Sequence, residues 1–382
     1  MQESLSESFD APLLRRASPV ARLACLAYTI IIVYASFTPW SGWRDLGVSA
    51  FAYLSAPWPE RIGRFDVIVN VLGYLPFGML VVLALHPRPR GAAAILIALG
   101  AGVLLSGAIE AVQTFIPRRV SSNVDFVANL CGTLLGALIG AWRAEALIDR
   151  GRLLQLRFAW FDRDSAIPLI LLAIWPLAQI HAVSMLFAMG PGDAPLLDWI
   201  HEQGFAWLPL RGAWAPAEFV VAEAVVTTAA VLSVGLAAAA TMRPNAPRAR
   251  LLLAVIAAGL FAKTLAYGVR FGGDHALSWL TPGAVGGLAI GLLAGVVASW
   301  GPHRAVARLA ILATVGVIVA VGLVPENPYF TSWQSHWRTG RLAHFNAVGE
   351  WVAFAWPFAT LAWLLALEIT RWPRRTRADH AN

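Results

Sequence analysis

Phe65-Asp66-Val67-Ile68-Val69-Asn70-Val71-Leu72-Gly73-Tyr74-Leu75-Pro76-Phe77-Gly78-Met79-Leu80-Val81-Val82-Leu83-Ala84-Leu85-His86 is the stretch on which the fold turns. It opens with one carboxylate and runs apolar for about the 20 residues that a helix needs to cross a bilayer. Its polar side chains gather in the first two turns, and Pro76 stands inside it. Proline is tolerated at such a place in a membrane helix because neighbouring groups can serve the carbonyl it frees.

The rest of the chain is of the same kind. Apolar residues make up 58% of the 382 and charged residues 13%, against about 45–50% and 25% in soluble domains. With a mean hydropathy of +0.64, such a chain has too few polar groups to cover a water-facing surface, so lipid must cover it. The formal charge of +7 does not point to nucleic acid, because the basic residues sit in short clusters between apolar segments. Cys25 and Cys131 both lie inside apolar segments and form no paired motif. The first apolar segment follows Arg15, Arg16 and Arg22, as a signal peptide would. It ends Ala35-Ser36-Phe37-Thr38-Pro39-Trp40, a poor cleavage site, and reads as a retained helix.

Ten segments are long and apolar enough to span: 20–38, 65–86, 91–116, 124–142, 166–189, 216–241, 248–270, 277–300, 305–325 and 349–370. The fold expected is an all-α polytopic transmembrane bundle of about ten spans. With the N-terminus in the cytoplasm, 19 arginines fall in the inside segments and 9 in the outside ones. This bias places both termini in the cytoplasm. The chain then divides into a cytoplasmic segment 1–19, a four-helix membrane domain 20–142, a cytoplasmic linker 143–165, a six-helix membrane domain 166–370 and a cytoplasmic tail 371–382. The outside loops 190–215 and 326–348 carry Trp199, Trp207, Trp214, Trp333 and Trp337, rings that favour the headgroup layer. The first 14 residues and the tail after Arg371 are polar and read as disordered.

Polar side chains inside lipid need a partner or a wet cavity, and the first four spans hold a concentrated set. Asp66 and Asn70 open the second span, Asp125 and Asn129 the fourth, both in the pattern Asp-x3-Asn-x2-Gly. Each pair shares a helix face. Glu110 and Gln113 close the third span, with Arg118 and Arg119 beyond them. All lie within two turns of the extracytoplasmic end in this orientation, about 10 Å. The expectation is one pocket between the second, third and fourth spans, with Gly73, Gly132 and Gly136 allowing close helix approach. The same carboxylates read equally as helix caps and inter-helix bonds. Glu110 lies deepest, and no cap explains it.

The ordered set Asp66, Asn70, Pro76, Gly78, Glu110, Gln113, Arg118 or Arg119, Ser122, Asp125, Asn129, Gly132 and Gly136 resembles the VanZ-like family, with Tyr34 to Pro39 fitting as well. The resemblance covers the first four spans, about residues 20–142. It implies a small bacterial plasma-membrane protein of the cell envelope, of a family linked to lowered glycopeptide susceptibility. Membrane lipids or lipid-linked envelope precursors are the partners expected.

The later spans add three features. Gly283, Gly287, Gly291 and Gly295 recur every four residues, a face for close packing. Lys263 lies inside a span, with Glu223 a candidate ion partner. Asn346 and Glu350 before Trp356-Pro357-Phe358 echo Asp66 and Asn70 before Pro76-Phe77. No phosphate loop, nucleophile elbow, dinucleotide fingerprint or His-x3-His spacing occurs, so no cofactor or metal is expected. Three functions stay open: a binder of an amphiphilic ligand, an enzyme acting on a lipid headgroup with Glu110 as general base, and a lipid transporter.

Overall fold

The computed structural model describes residues 18–38, 40–116, 119–149, 151–162, 164–181, 185–191, 199–205, 214–325 and 343–378. These residues are helical apart from turns and one isolated bridge between Phe161 and Met242. The helices are α1 (Pro19–Phe37), α2 (Ala52–Ser55), α3 (Arg64–Leu85), α4 (Gly91–Gln113), α5 (Asn123–Ala144), α6 (Arg152–Trp160), α7 (Ala166–Ala178), α8 (Pro216–Thr241), α9 (Arg248–Phe271), α10 (Pro282–Ser299), α11 (His303–Leu323) and α12 (Ala343–Ala378). Among the described residues nine helices are long and apolar enough to cross a membrane: α1, α3, α4, α5 and α8 to α12.

The expected span 166–189 departs from this. Its helix α7 is 13 residues long and stops at Ala178, two residues after Pro176, which is short of a bilayer thickness. The described residues that follow, 179–181 and 185–191, are not helical, yet Met185, Leu186, Phe187, Ala188 and Met189 are buried. The expected linker 143–165 is largely helical, with a π turn at Glu145–Asp149 followed by α6. The tail after Arg371 differs too: α12 continues to Ala378, because a formed helix adds residues at little cost once nucleated. The first 14 residues and most of the two tryptophan-bearing loops, including Trp207, Trp333 and Trp337, lie outside the described residues. Trp199 is exposed, and Trp214 packs its ring on Phe219.

The chain divides into two compact units, residues 1–159 and 160–382. In the first, α3 and α5 run parallel in backbone contact. A Cβ added at Gly132 would collide with the carbonyl of Val71, and one at Gly136 with that of Leu75; at Gly140 it would press on Met79. Gly78 meets the Thr133 carbonyl from the other side. Every glycine on α5 thus faces the residue 61 positions earlier, which fixes both direction and register. Gly73 is different: nothing lies within 4 Å of its Cβ position, so it does not set the helix spacing as the sequence suggested. Its carbonyl accepts the Tyr28 hydroxyl at 2.8 Å, one residue along from the Leu72 carbonyl that Pro76 leaves without a helical donor. Helix α4 returns between them, with Gly102 against the Thr133 side chain. Ile32 of α1 joins Tyr74, Phe77 and Ile109 in the core. The far end is tied by His86 Nε2 to Asp149 Oδ2 at 2.8 Å.

The second unit repeats that construction. Helices α8 and α10 are parallel, and Gly283, Gly287 and Gly291 meet Val220, Ala224 and Thr228, each 63 positions earlier. The glycine face is a packing surface. On its other side α8 packs on α11, where Ser233 Oγ and Thr314 Oγ1 lie 2.7 Å apart. Leu236, Ala239, Ala240, Val306, Ala307, Ala310 and Leu364 fill the core there. Helix α12 is bonded to α7 through Trp356 Nε1, which donates to the Leu171 carbonyl at 2.7 Å. The proposed echo at Asn346 and Glu350 does not follow the first unit's pattern. Glu350 is exposed, while Asn346 accepts from Arg270.

Candidate functional site

Three helix ends meet at one end of the first unit: the starts of α3 and α5 and the finish of α4. Asp66 is the third residue of α3 and Asp125 the third of α5, while Glu110 and Gln113 lie in the last turn of α4. Ser122 caps α5, its hydroxyl accepting from Asp125 N at 3.3 Å. This Ser-x-x-Asp start fits the ordinary preference at helix N-termini. The cap is also bound to the site. Ser122 N donates to Glu110 Oε2 at 2.8 Å. Ser121 Oγ donates to the Glu110 carbonyl at 2.6 Å and lies 2.9 Å from Thr114 Oγ1. The loop that turns α4 into α5 is therefore wrapped on Glu110, which is 2% exposed.

Arg119 stands on that loop. Its guanidinium donates to the Ala35 carbonyl of α1 at 2.9 Å and lies in electrostatic range of Glu110 and Asp125. Burial pushes its pKa below the ordinary arginine value, opposed by Glu110 and then Asp125. Asp125 in turn faces Asp66 and Arg119, with the Asn70 side chain in hydrogen-bonding range. Asp66, Asn70, Glu110, Arg119 and Asp125 therefore form one group, graded from exposed Asp66 to buried Glu110.

The remaining predicted residues sit apart from the carboxylates. Gln113 donates its Nε2 to the Ser36 carbonyl at 2.9 Å and fastens α1 to α4. Asn129, 4% exposed, is a turn deeper, donating to Ser106 Oγ at 3.0 Å. Its Oδ1 is buried without a hydrogen-bond donor among the described residues, and the buried Tyr74 hydroxyl lies beside Ser106. Buried polar atoms are nearly always partnered by protein, water or ligand, so the floor of the group has acceptor capacity to spare. Arg118 lies outside the described residues.

Sequence reasoning missed the cover. Residues 40–63 run over this end: Arg44 N donates to Phe115 O at 3.0 Å, and Asn123 Nδ2 donates to Ala56 O at 2.8 Å. Tyr53, buried on α2, donates to Gly107 O at 3.3 Å. Trp40 and Trp43 pack on Phe37 and on each other, and both remain over 40% exposed. Such rings suit the headgroup layer. The signal available was the aromatic content of 37–58, too scattered for any helix period.

Chemically the group offers a planar five-donor cation in a half-dry setting, balanced by carboxylates that an anion can displace. Among the described residues no group of three or more His, Cys, Asp or Glu could hold a metal ion. Residues 22–143 match the family model described as VanZ/LLP1. That segment is therefore similar to the VanZ-like family, in agreement with the ordered motif set. No curated protein and no solved structure matched the chain.

Proposed function

We propose that this chain is a multi-pass protein of the bacterial plasma membrane whose VanZ-like segment binds the anionic headgroup of an amphiphilic lipid or lipid-linked envelope precursor at its extracytoplasmic end. The observation that carries the reading is the convergence of Arg119 with Glu110, Asp125, Asn70 and Asp66 at one end of three packed helices. In the empty state the guanidinium donates to the Ala35 carbonyl, with Glu110 and Asp125 in electrostatic range. A phosphate can take two parallel hydrogen bonds from the planar guanidinium fork. The spare acceptor at Asn129 suits a hydroxyl or amide of the same ligand. Occupancy of this site would alter envelope composition or glycopeptide access.

The test is retention of anionic or polyprenyl-linked lipid by the purified protein. Arg119→Ala with Glu110→Gln is expected to weaken it about tenfold or more, the worth of one charge-assisted hydrogen-bonded contact. Unchanged retention in the double variant sinks the proposal. The orientation is tested separately by cysteine labelling in intact spheroplasts: Ser122 and Gln334 are expected to label from outside, and labelling at Pro247 refutes the map.

A second reading, an enzyme acting on the headgroup, is favoured by one contact. The hydroxyl-bearing loop Ser121-Ser122 is bound directly to buried Glu110. A deletion strain that lacks one modified lipid would support it over simple binding.

A further inference from the structure

The three helices around the candidate site change character in steps of four residues. Asn70 of α3, Glu110 of α4 and Asp125 of α5 belong to the charged level. One turn deeper, on the same helix faces, come Tyr74, Ser106 and Asn129. A further turn brings Gly78, Gly102 and Thr133. Each step is about 6 Å of helical rise. The third level is closed. A Cβ at Gly78 would collide with the Thr133 carbonyl, and one at Gly102 would press on the Thr133 side chain. The Thr133 hydroxyl turns back to donate to the Asn129 carbonyl at 2.9 Å. The middle level is therefore the deepest that a ligand entering from the charged end can reach.

That middle level is neutral, buried and short of partners. Tyr74 is 5% exposed and Asn129 4%, and Ser106 is fully buried. Asn129 Nδ2 donates to Ser106 Oγ at 3.0 Å, and the Tyr74 hydroxyl lies beside Ser106 with Glu110 in electrostatic range above it. Neither the Tyr74 hydroxyl nor Asn129 Oδ1 has a hydrogen-bond partner among the described residues. A buried donor or acceptor left unused carries its full desolvation cost, and here two stand at one level. Packing does not require them. Phenylalanine at 74 and leucine at 129 would fill much the same space without that cost, so the two polar atoms point to a polar group of a ligand.

We propose, resting on the reading of Arg119 as the phosphate contact, that Tyr74 and Asn129 select the headgroup, favouring a lipid whose phosphate carries a hydroxyl-bearing group such as glycerol or a sugar. A hydroxyl one turn below the phosphate accepts from the Tyr74 O–H and donates to Asn129 Oδ1, so one group meets both unused atoms. An ethanolamine ammonium offers donors only and carries its charge into a neutral level. The methyl groups of choline offer neither donor nor acceptor.

The full chain in nanodiscs of phosphatidylcholine with a minor fraction of either phosphatidylglycerol or phosphatidylethanol tests this, with bound lipid counted by native mass spectrometry. Both anionic lipids are singly charged phosphodiesters, and only phosphatidylglycerol has headgroup hydroxyls. The expected result is retention of both, with phosphatidylglycerol favoured about tenfold, the worth of one hydrogen-bonded group. Tyr74→Phe and Asn129→Leu are each expected to lower that ratio about threefold or more, with phosphatidylethanol held as before. A ratio unchanged in either variant overturns the proposal, whatever the change in thermal stability. Should Asn129→Leu fail to insert for want of its bond to Ser106, Tyr74→Phe alone decides, because it removes a hydroxyl that bonds nothing among the described residues. Equal retention of the two lipids by the unaltered chain also overturns the proposal and leaves Arg119 as a phosphate contact. Retention of neither removes the phosphate contact and the headgroup selection together.

Discussion

The two units share a construction and differ in its polar end. In both, two parallel helices lie in backbone contact along glycines spaced four apart, with an antiparallel helix between them in sequence. In the first unit the cation is on the loop, at Arg119, and the carboxylates are on the helices at Glu110 and Asp125. In the second the cations are on the middle helix, at Lys263 and Arg270, while the carboxylate Glu223 is taken up by Leu186 N and Thr281. The glycine face is an architectural part that works with any end group.

The comparison breaks most visibly at the glycines. Gly136→Leu and Gly287→Leu are each expected to lose about 3 kcal/mol, since backbone cannot retreat from an added side chain as a flexible neighbour can. Unfolding by denaturing detergent measures this, and tolerance at either position would mean that the shared construction is not what holds that unit. The polar ends come next. Arg119→Ala leaves Glu110 and Asp125 facing one another and is expected to cost about 2 kcal/mol. Adding Glu110→Gln should return about 1 kcal/mol of it, a coupling that a double-mutant cycle detects. Strict additivity would place the three groups outside one network. Trp356→Phe removes the bond to the Leu171 carbonyl that fastens α7 to α12, for a loss of about 1 kcal/mol. The smallest effect is Gly73→Ala, expected within about 0.5 kcal/mol because its Cβ position is open. A loss as large as that at Gly136 would contradict the division between glycines that set helix spacing and those that do not.

Much of this was legible in the sequence, for physical reasons that also mark where it stopped. Span positions follow from apolar length, so α3, α4, α5 and α8 to α11 lie within a few residues of expectation. The grouping of Asp66, Glu110 and Asp125 followed from depth and cost, because helices crossing the same slab bring groups of equal depth to one level. What failed depended on partners far along the chain. Gly73 and Gly132 look alike in sequence, yet only Gly132 faces a neighbouring backbone. Lys263 and Glu223 have opposite charges at similar depth, but a backbone N–H and a hydroxyl reach the carboxylate first. The short helix α7 was hidden because the buried chain after it is as apolar as a span. Hydropathy reports burial and not helicity.

Whether the end group of the VanZ-like segment is a headgroup site is decided by a structure of the protein purified with its native lipid. The expected result is a phosphate within hydrogen-bonding distance of the Arg119 guanidinium, between Glu110 and Asp125, with the acyl chains leaving toward the bilayer. Arg119 still bound to the Ala35 carbonyl and enclosed by both carboxylates, with lipid only on the outer helix faces, would contradict it.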